Sequence, residues 1–307
     1  MLARFLTIAV LLLTFAFPMM AKELKVLMIG NSFSVCVGNY LPQIVAKDPS
    51  SQLVLTSAYI GGCRLDRHYN NLVAADKNPK SAPYAIKVWN SEKNPAKCAV
   101  RKGNINELLK NNQYDIITIQ QGSIKSFDFS SYEPYAGEII KYIRKYQKNA
   151  EIVIQQTWSY RSDSPRFPTA VADQQVMYDQ LKSAYGKLAE KYQLRIIPTG
   201  DAVQIYRAES PVKFKAVPLK DFKKPALPSD YGDVVGKFAW RKNKKTGEFY
   251  IGADSHHLND RGDYMQAALW YMFLFGKKAD DIKFVPANIP AAEADLLKKC
   301  AAKALEK

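Results

Sequence analysis

Histidine is scarce in this chain of 307 residues. Only His68, His256 and His257 are present. Histidine is the side chain whose ordinary pKa suits a general base at neutral pH, so the candidates for that role are few. Two of the three are adjacent, which also raises the question of a metal site.

Close pairs of cysteines are absent. The four cysteines, Cys36, Cys63, Cys98 and Cys300, are widely and irregularly spaced. Zinc sites usually take their ligands from close pairs, so this spacing argues against zinc, and we expect no metal. An even number of cysteines permits disulfides in an oxidising compartment, but four cysteines allow three pairings and the sequence does not select one.

Long apolar runs are absent after the first 21 residues. The N-terminal segment Met1–Ala21 carries one charge, Arg4, followed by an apolar run over Phe5–Phe17 and a small residue at its end. This pattern predicts a secretory signal. The apolar run is shorter than the roughly 20 residues of a membrane span. We therefore expect a secreted or periplasmic protein with no stable membrane insertion once the signal is removed.

Phosphate-binding and nucleic-acid-binding motifs are also missing. The first loop offers only Gly30 and then Gly38, which disfavours a flavodoxin-like nucleotide binder. The formal net charge of +15 fits acidic partners such as uronic-acid glycans, and it fits a solubility role equally well. Export and the lack of a recognisable motif argue against nucleic acid as a partner.

Short apolar runs alternate with helical patterns along the rest of the chain, which predicts an α/β fold. A mainly parallel central sheet would be covered by helices on both faces, in a three-layer α/β/α sandwich like that of flavodoxin, within one domain over residues 22–307. The predicted strands are Val26–Ile29, Leu53–Ala58, Ile116–Ile119, Ile152–Ile154 and Arg195–Ile197. The predicted helices are Tyr40–Ala46, Ile105–Lys110, Tyr135–Tyr146, Val176–Tyr192 and Asp260–Phe275.

Two segments do not fit this alternation. Residues 64–101 are polar and contain three prolines, and residues 211–251 are rich in proline and lysine. The end of the second segment predicts a β-hairpin that leads to Asp254. Because variable loops on a rigid scaffold usually carry specificity, we expect both excursions to shape substrate binding.

Two motifs at opposite ends of the chain suggest a serine hydrolase. Ser32 follows the first predicted strand, at the edge where open α/β sheets keep their sites. Asp254 precedes His257 by three residues, so it could orient the imidazole while His257 takes the proton of Ser32. The competing interpretations are that Asn31 and Ser32 only cap a helix, and that His256 is the base.

Four blocks in this order resemble the SGNH (GDSL-like) hydrolase superfamily, and in particular its DUF4886-type branch. They span nearly the whole chain after the predicted signal. The blocks are Gly30-Asn31-Ser32-Phe33-Ser34, Tyr59-Ile60-Gly61-Gly62-Cys63, Ile119-Gln120-Gln121-Gly122-Ser123 and Asp254 to Gly262. The resemblance implies the SGNH hydrolase fold and a catalytic triad of Ser32, His257 and Asp254.

The resemblance also implies an oxyanion hole. Its donors would be the backbone N–H of Ser32, the backbone N–H of Gly62, with Gly61 as a near rival, and the side chain of Gln120. The Gly-x-Asn-Asp block that supplies an asparagine donor in many members is missing, and the glutamines resemble the block of sialate O-acetylesterase-like enzymes. Gln121 remains an alternative for this donor and a candidate substrate-binding residue.

The interpretation that follows is an exported serine esterase that removes an acetyl or another small acyl group from a carbohydrate, without a cofactor. Trp158, after the fourth strand, is a candidate platform for a sugar ring, although packing is the more common role of such a residue. The partner would be an acylated carbohydrate or another small ester. The alternatives are a lipid or thioester hydrolase and a non-catalytic glycan-binding or surface-assembly protein on the same fold.

Overall fold

The computed structural model describes residues 22–306. The predicted signal segment, Met1–Ala21, lies outside the described residues. No helix within residues 22–306 has the length and apolar character that a membrane crossing requires.

A seven-stranded sheet forms the centre of the molecule, with the strand order β4-β3-β2-β1-β5-β6-β7. Five strands pair in parallel, while β3 and β4 are antiparallel. The predicted mainly parallel α/β fold is therefore confirmed. The bounds are β1 Lys22–Gly30, β2 Ser51–Tyr59, β3 Tyr84–Asn90, β4 Ala99–Gly103, β5 Ile116–Ile119, β6 Glu151–Gln155 and β7 Arg195–Ile197.

The helices fall into two groups whose members contact one another. One group contains α3, α4 and α5, the other contains α2, α7, α8 and α9, and α6 contacts α7. Right-handed crossovers between parallel strands place successive helices on opposite faces when the chain changes direction at β1. The bounds are α1 Ser32–Val35, α2 Leu41–Val45, α3 Leu65–Lys77, α4 Ile105–Asn111, α5 Tyr135–Tyr146, α6 Gln174–Tyr192, α7 Thr199–Glu209, α8 Asp260–Phe275 and α9 Ala291–Leu305.

The central strands are apolar because both of their faces are covered. All four residues of β5 are buried, as is the run Val26–Ile29 in β1. Such continuous burial is typical of parallel strands between two helical layers. Because β1 and β5 pair in parallel, their carboxyl ends lie side by side, and the loops that follow them meet there.

The first excursion, residues 64–101, is more regular than the sequence pattern predicts. It contains α3 and the antiparallel strands β3 and β4, which extend the sheet beyond β2. Its polar appearance has a physical reason, since α3 buries only a narrow stripe and β4 is an exposed edge strand. Edge strands often carry charged residues, as Arg101 and Lys102 do here.

The second excursion contains the predicted hairpin. Its strands are β8, Val235–Lys242, and β9, Phe249–Leu258, which pair antiparallel in a separate two-stranded sheet. The chain passes from β9 through Asn259 into α8, and Asn259 Oδ1 caps this helix by accepting the N–H of Gly262 at 3.1 Å. The hairpin thus delivers the chain to the largest buried helix.

The cysteines are all free thiols in the described residues. Burial raises the pKa of Cys63 and of Cys300 to about 12. Because the thiolate is the reactive form, these two side chains are poor nucleophiles at neutral pH. Cys63, which lies in the loop after β2, is therefore no competitor to the serine at the end of β1.

A buried carboxyl group makes the stability of this fold depend on pH. Asp263, in the first turn of α8, is buried, and its Oδ2 accepts a hydrogen bond from Asn39 at 2.8 Å while its Oδ1 has no partner. Burial raises the pKa of Asp263 to about 7, and the nearby charge of Asp260 acts in the same direction. The folded protein therefore holds a proton here that the unfolded chain releases near pH 4.

We expect Asp263→Asn to stabilise the protein at pH 8 more than at pH 5. The folding penalty from Asp263 grows between about pH 4 and pH 7 and is complete above that range, at no more than about 4 kcal/mol. Urea unfolding at several pH values measures the free energy of unfolding. In the wild type it should fall as the pH rises from about 4 to about 7, and in Asp263→Asn it should fall less. The control is Asp179→Asn, which removes an exposed carboxyl group from α6, away from Asp263. Equal slopes in the wild type and in Asp263→Asn would contradict the prediction.

Candidate active site

Ser32 lies at the carboxyl end of β1, as the sequence predicts. Asn31 caps the short helix α1, since its Oδ1 accepts the N–H of Phe33 at 2.9 Å. The capping interpretation and the half-buried position of Ser32 at the sheet edge hold together, because Asn31 does the capping and Ser32 is the first residue of the helix. The hydroxyl is thereby presented at the edge of the sheet, beside the loop after β2.

Asp254 and His257 come together through an irregularity in β9. Lys237 pairs with Asp254, and a regular ladder would then pair Val235 with residue 256, but Val235 pairs with Leu258 instead. The two extra residues form a bulge, which redirects side chains that a regular strand would place on opposite faces. Asp254 Oδ1 holds the bulge by accepting the N–H groups of His256 and His257, each at 3.0 Å.

Three side chains form a continuous hydrogen-bonded chain. Ser32 Oγ lies 2.8 Å from His257 Nε2, and His257 Nδ1 lies 2.8 Å from Asp254 Oδ2. A carboxylate only accepts hydrogen bonds, so Nδ1 carries the proton and Nε2 is left to accept the Ser32 hydroxyl. This is the arrangement in which an imidazole can withdraw a proton from a serine.

Asp254 is held as a carboxylate. Burial alone would raise its pKa, but the hydrogen bonds from His257 and from two backbone N–H groups outweigh burial and keep the pKa well below its usual range. His256 also approaches this carboxylate, with its Nδ1 3.1 Å from Oδ1. Burial lowers the pKa of His256, assisted by the neighbouring His257 and Arg166, so His256 is neutral at neutral pH. It does not contact Ser32 in this arrangement; His257 does.

Trp158 lies beneath the site, where it contacts Phe33 and the backbone of the segment that carries His256 and His257. Its ring is fully buried and stacks on Phe33 with centroids 4.2 Å apart, and its indole N–H donates to the carbonyl of His256 at 2.8 Å. A ring with no exposed face cannot receive a sugar. The expectation of a substrate platform at Trp158 is therefore not carried forward, and packing is the role that its position supports.

Gly236 and Arg161 hold the backbone of the bulge from below. The N–H of Arg161 donates to the carbonyl of Ser255 at 2.8 Å. Gly236 has φ +90°, and a Cβ there would lie 2.6 Å from the carbonyl oxygen of Asp254 and 2.7 Å from Arg161 Nη1. Only glycine permits this close approach of β8 to the loop that carries Asp254.

The loop after β2 places Gly61 and Gly62 along the same cavity as Ser32. Gly62 has φ +61°, and a Cβ built there meets no atom within 4 Å, so its backbone borders open space. A backbone without a Cβ lets a substrate carbonyl come close. This placement is compatible with the predicted role of the Gly62 N–H as an oxyanion donor beside that of Ser32.

The two glutamines after β5 do not line the cavity. Gln120 is buried, and its Nε2 donates to Asn31 Oδ1 at 2.6 Å. Gln121 is also buried, with its Nε2 donating to the carbonyl of Ser131 and its Oε1 accepting the N–H of Leu65. Because both side chains are buried away from the cavity and bonded to neighbouring loops, their positions do not support the expected oxyanion role of Gln120 or the substrate contact of Gln121. Both side chains instead fix the loops that frame Ser32.

The cavity above Ser32 has a volume of about 420 Å³. The sequence assigned no role to five of its lining residues: Tyr59 and Ser123 stand in the quoted blocks without a function, and no local pattern marks the other three. They are Tyr59, Ser123, Ile124, Tyr160 and Arg166, which lie on three different loops or strand ends. Tyr160 is fixed by a hydrogen bond of 3.0 Å from its hydroxyl to Ser123 Oγ.

Asp254, His256 and His257 also have the spacing of a metal site, since one ligand atom from each lies within 4.8 Å of the others. Their donor atoms, however, already bond to one another and to Ser32. Catalytic zinc sites take three protein ligands in a geometry that leaves an open position. Here one ring nitrogen of His257 bonds to Asp254 and the other to the Ser32 hydroxyl, which favours proton transfer over metal binding.

The chain is similar to several solved structures. No curated protein matches the sequence. A DUF4886 family protein from Bacteroides uniformis is similar in structure, with a TM-score of 0.73, 24% identity, and coverage of 93% of this chain and 95% of that one. An acetyl xylan esterase aligns with a TM-score of 0.46 and 13% identity over 82% of this chain and 99% of that one.

A member of the lipolytic G-D-S-L family from Veillonella parvula aligns more loosely, with a TM-score of 0.41 and 12% identity over 82% of this chain and 97% of that one. The family described as a domain of unknown function, DUF4886, matches residues 25–222 of the sequence. This match includes Ser32 and covers more than half of the chain. The predicted resemblance is confirmed: the protein belongs to the DUF4886 family.

Proposed function

We propose that this protein is a serine esterase of the SGNH type. The observation that carries the proposal is the chain of two 2.8 Å hydrogen bonds from Ser32 through His257 to Asp254. Asp254 supports it further, because hydrogen bonds keep its carboxyl group ionised and thus able to stabilise an imidazolium. The cavity beside Ser32 provides room for an ester.

The reaction follows from this geometry. His257 Nε2 takes the proton of Ser32 Oγ as the oxygen attacks the ester carbonyl, and backbone N–H groups of Ser32 and Gly62 stabilise the oxyanion. His257 then gives the proton to the departing alcohol, which leaves an acyl group on Ser32. Water, deprotonated by the same imidazole, attacks the acyl-enzyme and releases the acid and the free serine.

We further propose that the ester joins a small acyl group to a carbohydrate outside the cell. The cavity of about 420 Å³ suits a short acyl chain with part of a sugar better than a long lipid chain. Tyr59, which is half-buried, provides an aromatic face with a polar tip along its wall. The N-terminal pattern of the sequence supports export.

The test is acetate release by the purified protein from p-nitrophenyl acetate and from a panel of acetylated polysaccharides. A fluorophosphonate, which reacts with activated serines, provides a readout independent of substrate choice. We expect turnover of the small ester and a single covalent adduct on the peptide that contains Ser32. A folded protein that neither turns over any ester nor takes up the fluorophosphonate would refute the proposal.

A further inference from the structure

Arg166 brings a positive charge to the active-site cavity. Its side chain lines the cavity together with Ser32 and His257, and its guanidinium carbon lies 5.7 Å from the centroid of the Tyr160 ring. Its charge reaches the catalytic loop, where it helps to lower the pKa of His256. The residue is exposed and therefore accessible to a ligand that enters from solvent.

No carboxylate of the described chain pairs with this guanidinium. The nearby acids are engaged elsewhere, Asp163 with Arg161 and Asp254 with the two histidines. An arginine offers a planar fork of donors that matches a carboxylate or another oxyanion. An unpaired arginine beside a nucleophile thus points to a substrate that carries its own negative charge close to the ester.

A second basic surface lies in residues 211–251, which we call the basic arm. It has ten lysines and arginines but only four acidic residues. Two of these acids, Asp230 and Asp233, pair with Arg261 and Arg207 outside the arm. Within the described residues, none of the ten basic side chains forms an ion pair, so the charge of the arm is not compensated by the protein itself.

The arm also exposes aromatic rings. Phe249 and Tyr250 are each 50% exposed, next to the run Arg241–Lys245 in which every residue is exposed. The ammonium of Lys224 lies 3.7 Å from the centroid of the Phe249 ring. Aromatic rings among unpaired cations suit a ligand that alternates apolar sugar faces with anionic groups, whereas a surface built for solubility alone has no need of exposed rings.

The arm is connected to the active site by β9 itself. This strand begins at Phe249, and Asp254 lies five residues further on, a distance of about 17 Å at the usual rise of an antiparallel strand. At the site end, Arg161 lies between the rings of Phe214 and Phe238 of the arm, 4.2 and 4.5 Å from their centroids. A polymer with its ester at Ser32 that followed β9 would therefore meet the basic arm.

We propose that the substrate is an acylated anionic polysaccharide, whose acidic group next to the ester is bound by Arg166 and whose continuing chain is bound by the basic arm. This inference rests on the proposed esterase function and adds the charge and the polymeric nature of the substrate. Carboxylate and sulfate share the chemistry that both surfaces recognise. The planar fork of Arg166 fits a carboxylate at the ester-bearing residue.

The first experiment isolates Arg166 with two small esters, 4-acetoxybenzoate, which is anionic, and its neutral methyl ester. We expect Arg166→Ala to lower the ratio of kcat/KM for the anionic ester to that for the neutral ester about tenfold, and Arg166→Lys to retain part of the preference. The control is Lys148→Gln, which removes an exposed charge from the amino edge of the sheet, far from Ser32. An unchanged ratio in Arg166→Ala would overturn the role of this residue.

The second experiment tests the arm with acetylated polygalacturonate, the same polymer after methyl esterification, and a neutral acetylated xylan. A sulfated, acetylated glycan distinguishes sulfate from carboxylate recognition. We expect the lowest KM for an anionic polymer and a KM that rises with salt, because screening weakens such contacts. Lys244→Gln combined with Lys245→Gln should raise KM for the anionic polymer severalfold more than KM for 4-acetoxybenzoate. Lys47→Gln combined with Lys148→Gln removes the same charge elsewhere and serves as the control.

The outcomes separate this inference from the function on which it rests. Absence of turnover on every ester would remove the esterase proposal itself. Turnover with equal kcat/KM on anionic and neutral polymers would leave the esterase standing and overturn the anionic substrate. Inhibition by single-stranded RNA but not by unacetylated polygalacturonate would also overturn it, because the arm would then recognise a nucleic acid.

Discussion

Ser32→Ala is expected to lower kcat for ester hydrolysis by about 10⁴-fold or more. The hydroxyl oxygen is the only protein atom that forms a bond to the acyl group in the proposed mechanism, so its removal leaves only the binding and oxyanion contributions. The hydrogen bonds by which Asn31 holds this loop do not involve Ser32 Oγ, so the variant should fold normally. Initial rates on p-nitrophenyl acetate, together with a thermal melt, measure both points.

A matched control is Ser162→Ala, since Ser162 is an exposed serine on the loop after β6. It should retain the rate of the wild type. A double variant, Ser32→Ala with His257→Gln, should be no slower than Ser32→Ala alone, because residues that act as a unit are not additive. Substantial residual turnover in Ser32→Ala that the second substitution lowers further would show a different nucleophile that uses His257.

Asp254→Asn is expected to lower kcat by about 10³- to 10⁴-fold. An amide nitrogen at the position of Oδ2 would face His257 Nδ1 and favour the tautomer with the proton on Nε2, which cannot accept the proton of Ser32. An amide oxygen at the position of Oδ1 can still accept the N–H groups of His256 and His257, so the bulge should persist. The measurement is kcat on a small ester, with circular dichroism to verify the fold.

The control for this prediction is His256→Gln. His256 approaches the same carboxylate but does not reach Ser32, so its loss should change kcat less than about tenfold. The sequence does not show which of the two adjacent histidines is the base. Comparison of His256→Gln with His257→Gln decides it. A larger loss in His256→Gln than in His257→Gln would reverse the assignment.

The strands and helices that the sequence predicts are those with a strong apolar pattern. Ile116–Ile119 and Tyr135–Tyr146 have the predicted bounds, because a fully buried strand and a clear apolar stripe leave little ambiguity. The missed helix α3 buries His68 and Ala75 beside two leucines, so its core stripe contains a polar residue. The missed α9 is rich in alanine, whose high helix propensity carries little apolar contrast between faces.

The sequence predicted only those parts of the site that depend on residues close together in the chain. The interval between Asp254 and His257 indicated that these two side chains could meet, and the strand before Ser32 indicated an exposed turn. The directions of Gln120 and Trp158 depend on Asn31 and Phe33, which are distant in the sequence, so no local pattern could show that both point into the core. Arg166 joins the cavity through loop packing alone.

The bulge in β9 allows related proteins to change their substrates without changing the proposed triad. Because Asp254 orients His257 within one short stretch of backbone, the only contact of the triad that spans the fold is the one from His257 to Ser32, across 225 positions of sequence. The other end of the same hairpin is a turn in solvent, remote from this contact. Insertions or substitutions at the turn can therefore change which molecules are recognised while the reaction type is inherited unaltered.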